Sequence, residues 1–205
     1  MRLYLASTSP ARLATLRAVG IEPVLLSSGV DEEGAVAVAD PMTADEMVLF
    51  LARLKAEAVI SPELDGFILG GDSAFELDGV TYGKPHYPAI ARERWLRQRG
   101  RAGMLHSGHW LIDHRGGILG GATGGVSSAT VQFAPDISEA EIDAYIATGE
   151  PLEVAGAFTI DSLGAPFISS IVGDPHAVVG LSVALLRRLL LEFGVEWPGL
   201  WNRDL

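Results

Sequence analysis

Two lysines, one arginine and a few carboxylates are the residues of this chain best suited to phosphate chemistry. Of 15 basic residues, only Lys55 and Lys84 are lysine, and the other 13 are arginine. A general preference for arginine explains most of that imbalance, but not why these two positions escape it. An ammonium is a compact point charge with three donors and suits a single phosphate oxygen, whereas a guanidinium is a planar fork. Arg12 adds a third cation near a predicted helix start. Asp31, Glu32, Asp72 and Asp161 are acids near loop ends, and each alone reads as a solvated loop residue except Asp72. Asp72 closes the apolar run Phe67-Ile68-Leu69-Gly70-Gly71, where burial raises a carboxylate's pKa and fits it to act as a base. Hydrolysis of a triphosphate uses this inventory: cations for the phosphates, a carboxylate to activate or orient water, and a divalent metal bridging oxygens. Magnesium takes hard oxygen ligands, one or two carboxylates among them.

The elements that must position these groups follow from local signals. Arg2–Ala6 predicts a short buried strand. Ser9, Pro10 and Gly20 bracket a helix as N-cap, first helical residue and stop. A strand that runs through Ser7-Thr8-Ser9 into a helix start is a place where anions bind, because free amides and the helix dipole point outward there, but the local sequence alone favours an ordinary capped helix with Arg12 at the surface. Glu22–Ser28 predicts a second strand, followed by a polar, alanine-rich loop to Pro41. Thr43-x-x-Glu46 is a capping box, and Met47, Leu51, Leu54 and Ala58 give its helix an apolar stripe beside which Lys55 falls. The run Phe67–Ser73 predicts a strand whose two glycines let a backbone or ligand approach. Asp78-Gly79 predicts a hairpin within Phe75–Tyr82, placing Asp72 and Lys84 at the two ends of one unit.

Further along, a helix is expected over Tyr87–Gln98. Strands are expected over Met104–Asp113 and Val126–Phe133, around a glycine-rich turn. Ser138-x-x-Glu141 caps a helix that runs through Ala147 and is closed by Gly149. Short strands are expected at Ala157–Ile160 and Pro166–Val172. A last helix runs from the cap Ser182 to Phe193. Helices and strands interleave without repeats, so the class is α/β with a mixed sheet, the hairpins forcing some antiparallel pairing.

Composition excludes several alternatives. With no cysteine, neither disulfides nor thiolate chemistry is available. A net charge of −11 and a pI near 4.8 disfavour a polyanionic partner such as DNA or RNA. No apolar run reaches the roughly 18 residues of a membrane span, and the opening residues are too quickly polar for a signal peptide, so the cytoplasm is the expected compartment. P-loop, dinucleotide-binding and G-x-S-x-G motifs are absent. His106 and His109 lie three apart on a predicted strand and so face opposite ways, which disfavours a shared metal. His86, His114 and His176 are expected at the surface.

Taken in order, several blocks resemble the Maf family, the septum-formation-inhibitor-like nucleotide pyrophosphatases. They are Leu5-Ala6-Ser7-Thr8-Ser9-Pro10-Ala11-Arg12, Val30-Asp31-Glu32, the helix bearing Lys55, Gly71-Asp72-Ser73, Leu77-Asp78-Gly79 with Gly83-Lys84-Pro85, Gly149-Glu150-Pro151, Ala155-Gly156-Ala157-Phe158 and Val178-Val179-Gly180-Leu181. Any one block is weak, and the ordered set is specific. The resemblance implies a single elongated α/β domain of the Maf/ITPase-like kind over residues 1–195. That domain has a mixed twisted sheet flanked by helices and a central cleft, and residues 196–205 form a tail. It implies a homodimer that releases pyrophosphate from nucleoside triphosphates with a divalent metal, magnesium or manganese. Asp72 matches the proton acceptor. Ser7, Arg12, Lys55 and Lys84 match the phosphate-binding set, Glu32 matches a further acidic position, and Asp72 with Glu32 is the expected metal-holding pair.

Two positions depart from the pattern. Ala11 stands where many members carry arginine or a large aromatic. Asp161 stands where members that prefer dTTP and UTP carry glutamine. An amide donates to a base carbonyl and a carboxylate cannot, so Asp161 suits a base edge rich in N–H donors, such as that of guanine. The competing reading is a non-catalytic protein, either a nucleotide sensor or a division regulator acting by contact.

Overall fold

The first strand, β1 (Leu3–Ala6), is buried along its whole length, as expected of a parallel strand covered on both faces. A computed structural model describes residues 1–203. After β1 come α1 (Pro10–Ala18), β2 (Val24–Leu25), α2 (Glu32–Ala37), α3 (Ala44–Ala58), β3 (Gly66–Leu77), β4 (Val80–Tyr82), α4 (Pro88–Gln98), β5 (Ala102–His114), β6 (Gly121–Phe133), α5 (Glu139–Ala147), β7 (Ile168–Gly173), α6 (Pro175–Val179) and α7 (Val183–Glu192). The strands form one mixed sheet in the order β2-β1-β3-β5-β6-β7, with β4 paired to β3. β1 runs parallel to β2 and β3, and the β3–β4 and β6–β7 pairs are antiparallel. Among the described residues no helix is long and apolar enough to cross a membrane.

The chain divides into two compact units. The first comprises, of the described residues, 1–72, 107–127 and 180–203, and the second residues 73–106 and 128–179. In the first unit, side chains alternate across the sheet with the period of two that strands impose. Leu3, Leu5, Phe67, Leu69 and Leu111 pack with Leu185, Leu186, Leu189 and Leu190 of α7. Tyr4, Ala6, Ile68 and Ile112 pack with Ala56 of α3. In the second unit, Trp95 of α4 is fully buried and meets Phe133 and Tyr145 edge to face, with centroids 5.5 and 5.4 Å away. Its indole N–H donates to the Ala157 carbonyl at 2.8 Å.

The capped helices start where their signals place them. Thr43 and Ser138 both complete capping boxes, and Ser9 and Ser182 cap α1 and α7. The hairpin turn at Asp78-Gly79 has φ of 55° and 75°, the paired left-handed geometry that matches strand twist.

Four expectations differ. β2 is only two residues long, because Val24 and Leu25 form an exposed edge and Pro23 has no N–H to extend the pairing. The loop expected before Pro41 contains α2, whose N-cap Asp31 accepts from the Gly34 N–H at 3.0 Å; none of its residues is buried, so it carries no apolar stripe. No strand forms over Ala157–Ile160, since Gly156 and Ala157 have φ of 71° and 64°. His114 is buried, its Nδ1 2.8 Å from the Leu64 carbonyl, where a surface position was expected. The tail packs back on the first unit, with Leu200 fully buried and the Asn202 amide bonded to the backbone of Glu22.

Candidate active site

Five of the seven expected site residues come together in the first unit, around the end of β1 and the middle of β3. The loop leaving β1 wraps into α1 through its own hydroxyls. Ser7 Oγ accepts from the Ser9 N–H at 3.2 Å, and Ser9 Oγ accepts from the Arg12 N–H at 3.4 Å. Arg12 then folds back: its Nη1 donates to Ser7 Oγ at 3.0 Å and its Nε to the Gly180 carbonyl at 2.8 Å. Both lone pairs of Ser7 are thereby engaged, so its O–H is left to donate. Burial lowers the pKa of Arg12, opposed by the nearby charges of Asp72 and Glu32, and a guanidinium stays charged regardless.

Two glycines set the position of Asp72. A Cβ on Gly70 would overlap the Ala52 carbonyl oxygen and stand 2.9 Å from Ala56 Cβ, so α3 lies directly on β3 only because residue 70 has no side chain. Lys55, in the last turn of α3, is carried by that contact to Asp72, which shares the face of Gly70. On the alternate position, a Cβ at Gly71 would stand 3.2 Å from Arg12 Nε. The two glycines thus admit one cation-bearing backbone and one cationic side chain to the same stretch of strand.

Lys55 Nζ is 2.7 Å from Asp72 Oδ1 and 2.7 Å from Glu32 Oε1, in the first turn of α2. Lys55 and Asp72 are both buried, and Glu32 is half exposed. Burial raises the Asp72 pKa above its ordinary value, opposed by the charges of Lys55 and Arg12 and by the Lys55 hydrogen bond. An ionised Asp72 here is a carboxylate held in a dry setting, where its basicity is greater than in water.

Arg12, Lys55, Asp72 and Glu32 sum to zero formal charge. Their two positive charges are already matched, so a polyphosphate would need a cation of its own. Asp72 and Glu32 are hard oxygen donors converging on one cation, the donor chemistry that magnesium or manganese accepts, completed by water and phosphate oxygens. These two carboxylates therefore fit a divalent ion.

Lys84 and Asp161 lie in the second unit. Lys84 is exposed, two residues past Tyr82, the last paired residue of the hairpin. The Gly83 carbonyl before it is fixed by Arg94 Nη1 at 2.6 Å. Asp161 is exposed in the turn Thr159–Gly164 and has no partner among the described residues. Sequence reasoning assigned no role to Glu150, which accepts several hydrogen bonds from that turn. The Gly149-Glu150-Pro151 block was its only signal. It also missed the Gly180 carbonyl that orients Arg12, since backbone partners leave no trace in residue type. His106 and His109 both lie on β5 and are buried. Nδ1 of His106 faces Ser128 Oγ at 2.9 Å, and Nε2 of His109 accepts from the Ser182 N–H at 3.0 Å.

A family model for Maf-like proteins matches residues 2–193. The nucleoside triphosphate pyrophosphatase of Leifsonia xyli subsp. xyli is 63% identical over 211 residues, covering 99% of this chain and 98% of its own. Its namesake in Salinispora tropica is 54% identical over 99% of this chain and 88% of its own. That of Nocardia farcinica is 48% identical over 98% and 96%.

Proposed function

This chain belongs to the Maf family, and from that premise we propose how it acts as a nucleoside triphosphate pyrophosphatase. The observation that carries the reading is Lys55 set between Asp72 and Glu32, next to the buried Arg12 at the start of α1. Water adds to phosphorus at the α–β anhydride, the bridging P–O bond breaks, and nucleoside monophosphate and pyrophosphate leave.

Asp72 takes the proton from the attacking water. Its burial makes it a stronger base than a solvated carboxylate, while Lys55 keeps it ionised and oriented. Ser7 donates its O–H to a phosphate oxygen, and Arg12 supplies fixed positive charge that needs no reorganisation during the reaction. Lys55 offers its remaining donor capacity to the phosphates, and Lys84 is a further cation for a phosphate oxygen. Asp72 and Glu32 would hold the divalent ion, magnesium or manganese, which when bound neutralises phosphate oxygens. Asp161 reads the base. The protein works as a cytoplasmic homodimer on free nucleotides, with no nucleic-acid or membrane partner.

The test is pyrophosphate release from a panel of canonical and modified nucleoside triphosphates, with magnesium and with manganese. Release from one or a few of them, lost in Asp72→Asn, is expected. Binding without release from any nucleotide would instead identify a sensor.

A further inference from the structure

The turn Thr159–Gly164 is tied to one carboxylate. Among the described residues, Glu150 accepts from Thr159 Oγ1 at 2.6 Å, Ser162 Oγ at 2.7 Å, and the backbone N–H groups of Leu163 and Gly164 at 3.3 and 3.2 Å. It accepts a fifth hydrogen bond, at 2.8 Å, from Tyr145 Oη. Thr159 Oγ1 in turn accepts from the Gly164 N–H at 3.2 Å, which closes the turn on itself.

Glu150 is itself anchored. Its own N–H donates to Thr148 Oγ1 at 3.2 Å, and Tyr145 is buried against Trp95 and Phe167 in the core of the second unit. A chain of contacts thus runs from that core through Tyr145 to Glu150 and on to the turn. Partial burial opposes ionisation of Glu150, but the hydrogen bonds from Thr159, Ser162, Tyr145 and Leu163 outweigh it and hold its pKa below the ordinary value. It is therefore a charged acceptor, and bonds to charged acceptors are the stronger kind. The one side chain of the turn that could join this network as an acceptor and does not is Asp161, exposed and unpartnered among the described residues. A rigid turn holding one free carboxylate is a preorganised way to meet N–H donors, since little ordering is left for the ligand to impose.

We propose that Glu150 is a positioning residue for nucleobase selection. It holds the turn Thr159–Gly164 so that Asp161 is presented as a fixed, uncommitted carboxylate to a base edge carrying N–H donors. The inference rests on the pyrophosphatase reading and on Asp161 as the base-reading residue. Glu150 itself touches no substrate. It acts through the turn.

The experiment compares wild type with Glu150→Gln, which turns part of the acceptor into a donor facing the Leu163 N–H. Thr159→Val and Ser162→Ala each remove one donor and leave the carboxylate intact, so they serve if Glu150→Gln does not fold. Amide hydrogen exchange is followed at Leu163 and Gly164, and kcat and KM are measured across nucleoside triphosphates that differ only in base. Exchange at those amides is expected to rise about tenfold or more. The ratio of kcat/KM between the best and worst base is expected to fall by about tenfold, chiefly through KM of the preferred nucleotide.

Unaccelerated exchange would overturn the claim that Glu150 holds the turn. Faster exchange with an unchanged base ranking would reduce Glu150 to scaffold and overturn the proposal. A wild type inert toward every nucleotide would overturn the pyrophosphatase reading together with this one. That outcome is distinct from a failure of Glu150 alone, in which wild type turns over and the variants rank the bases as it does.

Discussion

Lys55 Nζ lies 2.7 Å from Asp72 Oδ1, between two buried side chains that belong to different elements, the end of α3 and the middle of β3. Burying either charge without a partner would cost far more than burying the pair. The pairing opposes the burial that raises the carboxylate's pKa and holds it oriented and poorly solvated, which suits a base that acts on water.

Asp72→Asn keeps the shape and removes the proposed base. Turnover is expected to fall by about 10²–10⁴-fold, the range over which general base catalysis contributes. Nucleotide binding measured without divalent metal should be largely intact, since Ser7, Arg12 and Lys55 are untouched. Pyrophosphate release and calorimetric binding on the same preparation decide it, and near-normal turnover would remove Asp72 from the role of base.

Lys55→Met removes the ammonium between Asp72 and Glu32 and leaves Arg12 as the nearby buried positive charge. Removing one partner of a buried pair is expected to cost about 3 kcal/mol, near the lower end of the usual range because Asp72 can protonate instead. The double variant Lys55→Met/Asp72→Asn, which removes both partners of the pair, should recover part of that stability and none of the activity. Urea unfolding of the three proteins measures it, and a double variant no more stable than Lys55→Met would show that the two side chains are not energetically coupled.

The two glycines before Asp72 make separable predictions. A methyl at position 70 overlaps the backbone of α3, so Gly70→Ala is expected to destabilise by about 1–3 kcal/mol and to shift Lys55 with the helix. At position 71 the neighbour is Arg12 Nε, tethered to the Gly180 carbonyl, so a methyl there must shift one side chain by a few tenths of an ångström and not a helix backbone. Gly71→Ala should therefore cost less stability than Gly70→Ala and act on KM for the triphosphate. Equal losses of stability in the two variants would mean that α3 does not rest on residue 70.

How much of this was legible in the sequence depended on whether the signal was local. α1, α3, α5 and α7 announce themselves through caps that lie within four residues of their partners. α2 does not, since no residue of it is buried and an apolar period never develops. That omission matters for the site, because Glu32 reaches Lys55 only from a helical first turn. The apolar run ending at Asp72 could be read directly. Its meeting with Lys55 could not, because it depends on α3 docking at Gly70. The Glu150 block was visible as residues, but its partners extend from Tyr145 to Gly164 and become one network only when the intervening chain folds back.

Glu150 also gives a prediction about acid. Its folded pKa lies below the ordinary 4.5, so it binds a proton less readily folded than unfolded. The stability it contributes is present above the unfolded value and is lost as pH falls through the folded one. Glu150→Gln should thus be less stable than wild type at pH 7, and the gap should close as pH falls below the ordinary carboxylate range. Thermal unfolding at pH 7 and at pH 3 tests the sign, and a gap that widens in acid would contradict the network as described.

Asp161→Gln probes the base directly. A carboxylate can only accept hydrogen bonds when ionised, whereas an amide both donates and accepts. With Asp161 as the proposed base-reading residue, the favoured base edge is expected to be one presenting N–H groups, as guanine does. With glutamine, a carbonyl on the base gains a donor, so preference should move toward dTTP or UTP. A good hydrogen bond gained or lost corresponds to a change in relative kcat/KM of about tenfold. The fixed turn makes the prediction sharp, because Thr159, Ser162, Leu163 and Gly164 hold the backbone in place whichever side chain stands at 161. An unchanged order of substrates in Asp161→Gln would mean that the base is read by another residue, and Glu150 would lose the purpose proposed for it while keeping its hold on the turn.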